Sequence, residues 1–589
     1  MTTTTNLADV QGETANSHTF ANTAEVHIRK ETVTLINRNN SQQTQTHSKQ
    51  QPHSLEQKSQ QQLRNNFQIK TPIKAEKLQF WLRGYKDSYK EYLTNGFKFG
   101  FKIPFIGSRS FRVHKNLNSA RGNPKVLNEI INSEISKGRA EGPFEFPPFP
   151  HLQCSPLGLV PKKEPGIFRL IHHLSYPEGA SVNDGIPQQF CTVKYQSIED
   201  AVVLLKQIGK GALMAKTDIA EAFKNVPIHP SDFELLGFSF QNKFYFDKTL
   251  PFGLSFSCNL FERFSKALHW VMENYFQTAG CVHVLDDFLF MGPPSTNKCS
   301  KALFGFISLC NDIGVPIKHE KTVEPVTRIT FLGIEIDSVK FELRLPQDKI
   351  TKITDSLKRV QNKRKVTLQE LQSLIGLLNF ACSVVIPGRT FLRRLIDLTR
   401  GIQKPHHFRR LNSEARADIQ AWLIFIKHFN GKALILEDKW YTSSHLNLHT
   451  DASNIGFGGT FQTQWFYGSW NYEWTDLHIT VKELFPIVLA LELYSHIIEN
   501  NCIEFFSDNM AVVHIINKQT SKDPVIMKLV RRLVITALKH NILFKATHIP
   551  GTTNIASDKL ARLQIKEFRD RFPQMNQLPT NISTEMLKI

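Results

Sequence analysis

Residues Val282-His283-Val284-Leu285-Asp286-Asp287-Phe288-Leu289-Phe290 form two short apolar runs joined at a pair of adjacent carboxylates. Apolar residues on both sides of a polar tip predict a β-hairpin packed on a sheet. Two acids at such a tip are poorly placed for burial. They are well placed to hold a divalent cation, because Mg²⁺ prefers hard oxygen ligands and keeps few protein contacts. A solvated Asp-Asp turn accounts for the same residues. The choice between the two readings rests on what else the chain carries.

With 589 residues the chain has room for roughly three to four domains. A hydrophobic fraction of 41% allows sizeable cores, while the net charge of +19 points to a polyanionic partner such as nucleic acid. The start, Met1-Thr2-Thr3-Thr4-Thr5, has neither a basic n-region nor an apolar h-region. The longest apolar run, Leu374 to Ile386, is interrupted by Asn379 and Ser383 and reads as a core helix rather than a membrane span. These features predict an intracellular protein, in cytoplasm, nucleus or both, without a membrane partner. The eight cysteines are scattered and lack zinc-ligand spacing, so reduced thiols are expected.

Composition divides the chain. Residues 1–75 are rich in Thr, Asn, Gln and Ser and read as a disordered polar arm. Residues 76–140 form a basic extension. Its aromatic and basic part, from Leu78 to Phe105, suits either a nucleic-acid surface or a helix packed on the next domain. Residues 123–140 predict a helix with Val126, Ile130, Ile131 and Ile135 on one face. After a proline-rich break, residues 155–175 read as strand, turn at Glu164-Pro165-Gly166, and strand, with Lys162, Lys163 and Arg169 around the hairpin. Such a hairpin is either a guarded edge or a lid over a triphosphate. Asp218 falls where an apolar strand gives way to a helical turn, and Pro251-Phe252-Gly253 precede a long helix.

This ordered set resembles the polymerase core of retroelement reverse transcriptases. It comprises the basic hairpin, Asp218 with Phe223 five positions on, Leu250-Pro251-Phe252-Gly253, Asp286-Asp287, Lys321, and Phe331-Leu332-Gly333. The resemblance covers about residues 140–345 and implies fingers and palm over 141–345. It implies that Asp218 and Asp286, supported by Asp287, hold two Mg²⁺ ions, with Mn²⁺ as a substitute. It implies that Lys163 and Arg169 bind the triphosphate, and that Phe223 lies under the sugar and selects deoxynucleotides. Phe252 and Gly253 would line the substrate site. Lys321 matches a lysine that protonates leaving pyrophosphate, and Phe331-Leu332-Gly333 matches a primer grip. Val284 stands where the family usually has Tyr, and His173 and Ser175 where many relatives have Asp and Arg.

Residues 346–440 are helical and very basic, which is either a solvated face or a thumb and connection gripping phosphates. A second set of acids follows: Asp451 after a strand, Glu483 in the first turn of an apolar helix, Asp508 at a strand end, and Asp558 after His548 and Asn554. Each acid alone suits a cap or turn. Together they resemble ribonuclease H over residues 441–565. That resemblance implies that Asp451, Glu483, Asp508 and Asp558 hold two Mg²⁺ ions in one cleft, that His548 rides on a mobile loop and aids product release, and that Asn554 shapes that loop. Residues 566–589 are a tail. The expected fold class is α+β and multidomain: a right-hand polymerase of fingers, palm and thumb, then an RNase H-like α/β domain, with a disordered N-terminal arm.

The wording of 507–522 and 374–382 resembles tyrosine-recombinase retrotransposons of the DIRS and Ngaro kind. That implies RNA template, DNA primer, RNA/DNA hybrid and dNTPs as partners, with a separately encoded recombinase and a capsid-like protein. The competing reading is an inactive or co-opted retroelement product that binds nucleic acid without copying it. A third, an RNA-synthesising polymerase, turns on Phe223.

Overall fold

In the computed structural model the described residues are 69–589, except Lys163, Pro165, Gln277, Ala279, Asn430, Gly431, 436–438, Thr552, Thr553 and Ile589. The arm expected over 1–75 lies outside the described residues as far as residue 68. The expected α+β class is the one the chain adopts.

Three runs build the central sheet: β1 (Leu213–Asp218), β2 (Cys281–Val284) and β3 (Asp287–Gly292). The order is 323–326, β1, β3, β2, with all neighbours antiparallel. Phe288, Leu289, Phe290 and Met291 are all buried, because both faces of β3 are covered. Phe288 and Phe290 meet Phe306 of the helix Lys298–Ile313, at centroid distances of 4.4 and 5.4 Å. Leu289 and Met291 point the other way, into a core shared with Ile198, Ala201 and Leu205 of the helix Ile198–Ile208. Two-sided cover is why β3 reads as a continuous apolar run rather than an alternating one. The helix α1 (Ser257–Tyr275) packs against β2.

N-terminal to this sheet, the predicted helix spans Pro124–Ser136. Its fully buried residues are Leu127 and Ile131, with Val126, Ile130 and Ile135 half-buried against the same core, so the expected face packs inward and Leu127 joins it. The hairpin of Leu157–Pro161 and Phe168–His172 forms as predicted. Residues 75–99 form two helices in which Trp81, Tyr92 and Phe97 pack on neighbouring rings while Phe80, Tyr89 and Phe99 are exposed. Trp81 stacks on Phe276 at 5.7 Å and its indole N–H donates to Asp312 at 2.9 Å. That favours the packed-helix reading of the aromatic extension.

The basic segment folds as helices Gln347–Gln361, Leu368–Ala381 and Ser413–Phe429. Ile350, Ile353, Leu357 and Val360 face inward, while Lys352, Lys358 and Arg359 face solvent. Farther on, β4 (His449–Ala452), β5 (Gly456–Phe461) and β6 (Gln464–Ser469) form an antiparallel meander. Residues 440–442, β7 (Cys502–Ser507) and β8 (Leu543–His548) pair in parallel. The helix α2 (Ile479–Tyr494) is apolar all round because the meander lies on one side and the helix Pro524–Lys539 on another. Residues Ile555–Ala561 form α3, packed on β4 and β5. Among the described residues no cysteine forms a disulfide. Among the described residues no helix is long and apolar enough to cross a membrane.

Candidate active sites

Strand pairing brings the first acids together. Asp218 ends β1 and lies directly opposite Asp287 at the start of β3. The two-residue turn between β2 and β3 is Leu285-Asp286, with Leu285 at φ +54°. Few non-glycine residues adopt that left-handed conformation without support. Here α1 supplies it: Glu262 Oε2 accepts the Leu285 N–H at 3.3 Å, and Ser265 Oγ donates to the Leu285 carbonyl at 2.8 Å. Both side chains are buried. The Asp286 carbonyl accepts the Ile219 N–H at 3.0 Å, which ties the turn to the residue after Asp218. Glu262 and Ser265 were not singled out in the sequence, where they are two among several polar positions on an amphipathic helix.

Burial pushes the Asp286 carboxyl up, and the charge of Asp218 adds to it. Asp287 is pushed up to about 6 by burial, then by Asp286 and Asp218. Lys321 answers this negative charge, with its ammonium donating to Asp218 Oδ2 at 2.6 Å. Burial alone would lower the lysine's pKa; the bond to Asp218 and the neighbouring carboxylates raise it instead. Carboxylates that lift one another's pKa form a hard-oxygen donor set suited to a divalent cation.

The residues expected around the nucleotide gather beside this group. Phe223 packs against Phe252 at 5.3 Å and Phe261 at 5.6 Å. The Arg169 guanidinium lies 5.0 Å over the Phe252 ring. Gly253 has φ +128°, and a Cβ there would lie 1.9 Å from the His172 carbonyl oxygen, so no other residue fits. Asn183 was also missed by the sequence. Its amide donates to Gly253 O and to Ser175 Oγ, both at 2.8 Å, and its carbonyl oxygen accepts from Ser255 N–H at 3.0 Å. Lys163 lies outside the described residues. Leu332 and Gly333, both at positive φ, make the turn of the hairpin 328–337, and Lys216 of β1 donates to Thr330 O at 2.6 Å.

The second group is tighter. Asp451 on β4, Glu483 on α2 and Asp508 just past β7 offer oxygens that all lie within 4.8 Å of one another. Burial, with Asp508 and Asp558 nearby, pushes Asp451 up to about 7. Burial, then Asp451 and Asp508, pushes Glu483 up to about 9. Glu483 stands in the second turn of α2, not the first, because the helix begins at Ile479. Asp558 does not join the group of three; it is half-buried on α3 and held by Arg562 Nε at 2.7 Å. His548 is not on a loop. It ends β8, paired with Ser507, and its Nε2 lies 3.0 Å from the Asp508 carbonyl oxygen. Asn554 is buried and donates to the Thr450 carbonyl at 2.8 Å, beside Asp451. A Cβ at Gly551 would lie 2.6 Å from Asp508 Oδ2, so glycine lets that segment approach the acids.

Residues 160–336 match the family model described as reverse transcriptase (RNA-dependent DNA polymerase). The chain therefore carries a reverse transcriptase domain of the kind found in retroelement and viral polyproteins. It is 25% identical over 406 residues to an enzymatic polyprotein of Cassava vein mosaic virus, covering 65% of this chain and 58% of that protein. It is 24% identical over 335 residues to the Gag-Pro-Pol polyprotein of mouse mammary tumor virus (strain BR6), covering 54% of this chain and 17% of that one. The chain thus spans less than two thirds of either relative. A solved foamy viral protease-reverse transcriptase in complex with double-stranded DNA aligns with 86% of this chain and 84% of its own, at 16% identity and a TM-score of 0.45.

Proposed function

We propose that this protein copies RNA into DNA in its first half and cleaves the RNA of the resulting hybrid in its last third. The observation that carries the reading is the pairing of Asp218 with Asp287 across β1 and β3, with Asp286 in the adjoining turn. It draws acids from distant parts of the chain into one spot within the segment that matches the reverse transcriptase model. Asp218, Asp286 and Asp287 would hold Mg²⁺ at the polymerase site, and Asp451, Glu483 and Asp508, with Asp558 at the edge, at the nuclease site. When bound there, the ions supply the positive charge that stabilises attacking and leaving oxygens in phosphoryl transfer.

The chain's own residues supply selection and order. Phe223, braced by Phe252 and Phe261, presents bulk that excludes a 2′-hydroxyl. Arg169 offers a bidentate clamp for the triphosphate. Lys321 supplies a proton donor beside Asp218. On this reading 141–345 are fingers and palm, 346–440 thumb and connection, and 441–565 the RNase H domain. RNA template, DNA primer, hybrid and dNTPs are the partners, in cytoplasm, nucleus or both. The element is of the tyrosine-recombinase type, with its recombinase encoded separately.

The test is Mg²⁺-dependent dNTP incorporation on a primed RNA, with Asp286→Asn as the control. Extension by wild type and none by the variant supports the reading. Binding of primer-template by wild type without extension would establish the inactive nucleic-acid-binding alternative instead.

A further inference from the structure

The chain flanking the helix Leu368–Ala381, before it and between it and Ser413–Phe429, carries a feature that neither acid cluster uses. Lys365–Thr367 and Phe408–Arg410 form a two-stranded antiparallel ribbon, with Lys365 opposite Arg410 and Thr367 opposite Phe408. Beside it lies an open cavity of about 470 Å³, lined by Gly401, Ile402, His406, His407, Phe408 and Arg409. Phe408 is 65% exposed. A ring of that size left in water forgoes the stabilisation that burial would supply. His406 and His407 stand edge to face at 5.0 Å in the same wall.

The frame around this ring is fixed by backbone bonds. The Leu368 and Gln369 N–H groups, at the start of a helix, donate to the carbonyls of His407 and Pro405 at 2.9 and 3.0 Å. Arg409 is held by the Leu398 and Arg400 carbonyls at 3.3 and 2.6 Å. The charge is one-sided. Residues 398–413 contain Arg400, Lys404, Arg409 and Arg410 and no acid, and Arg364 and Lys365 face them from the other strand's side. The nearest acids in the chain are engaged: Glu414 with Arg394, Glu370 with Lys363, and Asp397 with Arg393 and Arg400.

We propose that this ribbon and cavity bind single-stranded nucleic acid, with Phe408 stacking on an unpaired base while Lys404, Arg410 and Lys365 contact the flanking phosphates. A duplex keeps its base faces stacked on one another and offers nothing for an exposed ring to cover. A ring with its face open among cations instead fits a strand whose bases are free. RNA and DNA share that chemistry. The inference deepens the proposed function by giving the polymerase a hold on unpaired strand, and it needs neither acid cluster to be active.

The experiment uses the full chain saturated with a blunt-ended DNA duplex, so that duplex-binding surfaces are filled. Labelled oligo(U) and oligo(dT) of about twelve nucleotides, within the usual span of one stacking site, are then titrated by fluorescence anisotropy. Phe408→Ala should weaken binding roughly 5- to 100-fold while leaving the salt dependence intact. Phe408→Trp should retain or tighten it. Lys404→Ala with Arg410→Ala should flatten the salt slope by about 0.7 for each phosphate no longer neutralised. Unequal weakening for the two oligonucleotides would tell which strand the site prefers and would support the proposal. Unchanged affinity in Phe408→Ala, or an equal drop in duplex binding by that variant, overturns it. Primer extension measured in parallel keeps the two readings apart. Absent extension with intact oligonucleotide binding removes the polymerase reading alone, and intact extension with no effect at Phe408 removes this one alone.

Discussion

Lys321 and Asp218, far apart in the chain, meet through a 2.6 Å bond from the lysine ammonium to Asp218 Oδ2. The lysine places a positive charge on a carboxylate that the proposed function assigns to a metal. A cation and an ammonium at one oxygen compete, and they also repel. Removing the lysine should therefore tighten Mg²⁺ binding. With Lys321 half exposed, solvent screening keeps the effect near the low end, ~1 kcal/mol, or about fivefold in affinity. The measurement is the Mg²⁺ midpoint for thermal stabilisation of Lys321→Met, in an Asp451→Asn background that silences the second acid cluster. Extension by the same variant should fall. Weaker Mg²⁺ binding would mean that the lysine organises the acids rather than competing for them.

The support of Leu285 leads to a separate expectation. Glu262→Ala leaves the Leu285 N–H of the acid-bearing turn without its acceptor, at a cost of about 1–3 kcal/mol. Ser265→Ala removes one neutral hydrogen bond, worth about 1 kcal/mol. Both should lower the extension rate, Glu262→Ala more, while the KM for dNTP changes little, since neither residue faces the Phe223 pocket. Glu262→Gln keeps an acceptor oxygen and should recover most of the rate. Equal rates for the Gln and Ala variants would show that the accepted hydrogen bond is not what holds the turn.

Both acid-bearing scaffolds were legible in the sequence, for a common reason. Short apolar runs ending in acids expose strand ends directly, so the β2–β3 hairpin and the Asp451 strand could be read from local text. What could not be read is what depends on distant contact. Leu285 adopts positive φ only because α1 lies beneath it, and nothing near Leu285 announces that. Asn183 starts a single 3-10 turn, Asn183–Gly185, and its three side-chain partners come from outside that turn. The last residue of β8, His548, follows β7 in register, a pairing set by the sheet rather than by its own neighbours. On helix Pro124–Ser136 the expected residues pack inward, and Leu127 is the more deeply buried neighbour of Val126 because packing, not apolarity, decides between two equally apolar positions.

Phe223 gives a test of sugar selection. Its ring is wedged against Phe252 and Phe261, so it cannot easily turn away from an added hydroxyl. Phe223→Ala should raise the kcat/KM for ribonucleotides relative to deoxynucleotides by roughly 10- to 200-fold, the range a modest steric difference in a pocket supplies. Overall dNTP use should fall less. If wild type incorporates both sugars equally, Phe223 is not the selecting residue.

The second acid cluster predicts how stability depends on pH and Mg²⁺. Asp451 and Glu483 are raised to about 7 and about 9 from ordinary values of 3.8 and 4.5. A carboxyl whose folded pKa is raised binds its proton more tightly folded than unfolded. Its favourable contribution is present at low pH and is lost as pH rises from the unfolded value through the folded one. Metal-free protein should therefore lose stability from about pH 4 to about pH 9 on account of these two groups. A divalent cation offsets that loss by neutralising the ionised carboxylates. The stabilisation by Mg²⁺ should thus be larger at pH 8.5 than at pH 6, reaching about 2.7 kcal/mol at a hundredfold excess over Kd. Thermal melts in Mg²⁺ and in EDTA, run in an Asp286→Asn background, measure it. Glu483→Gln should melt above its parent in EDTA at pH 8.5, match it near pH 5, and lose most of the Mg²⁺ increment. A Gln variant that melts below its parent at pH 8.5 would mean that the Glu483 charge is compensated within the protein, and the cluster would then not be a cation site.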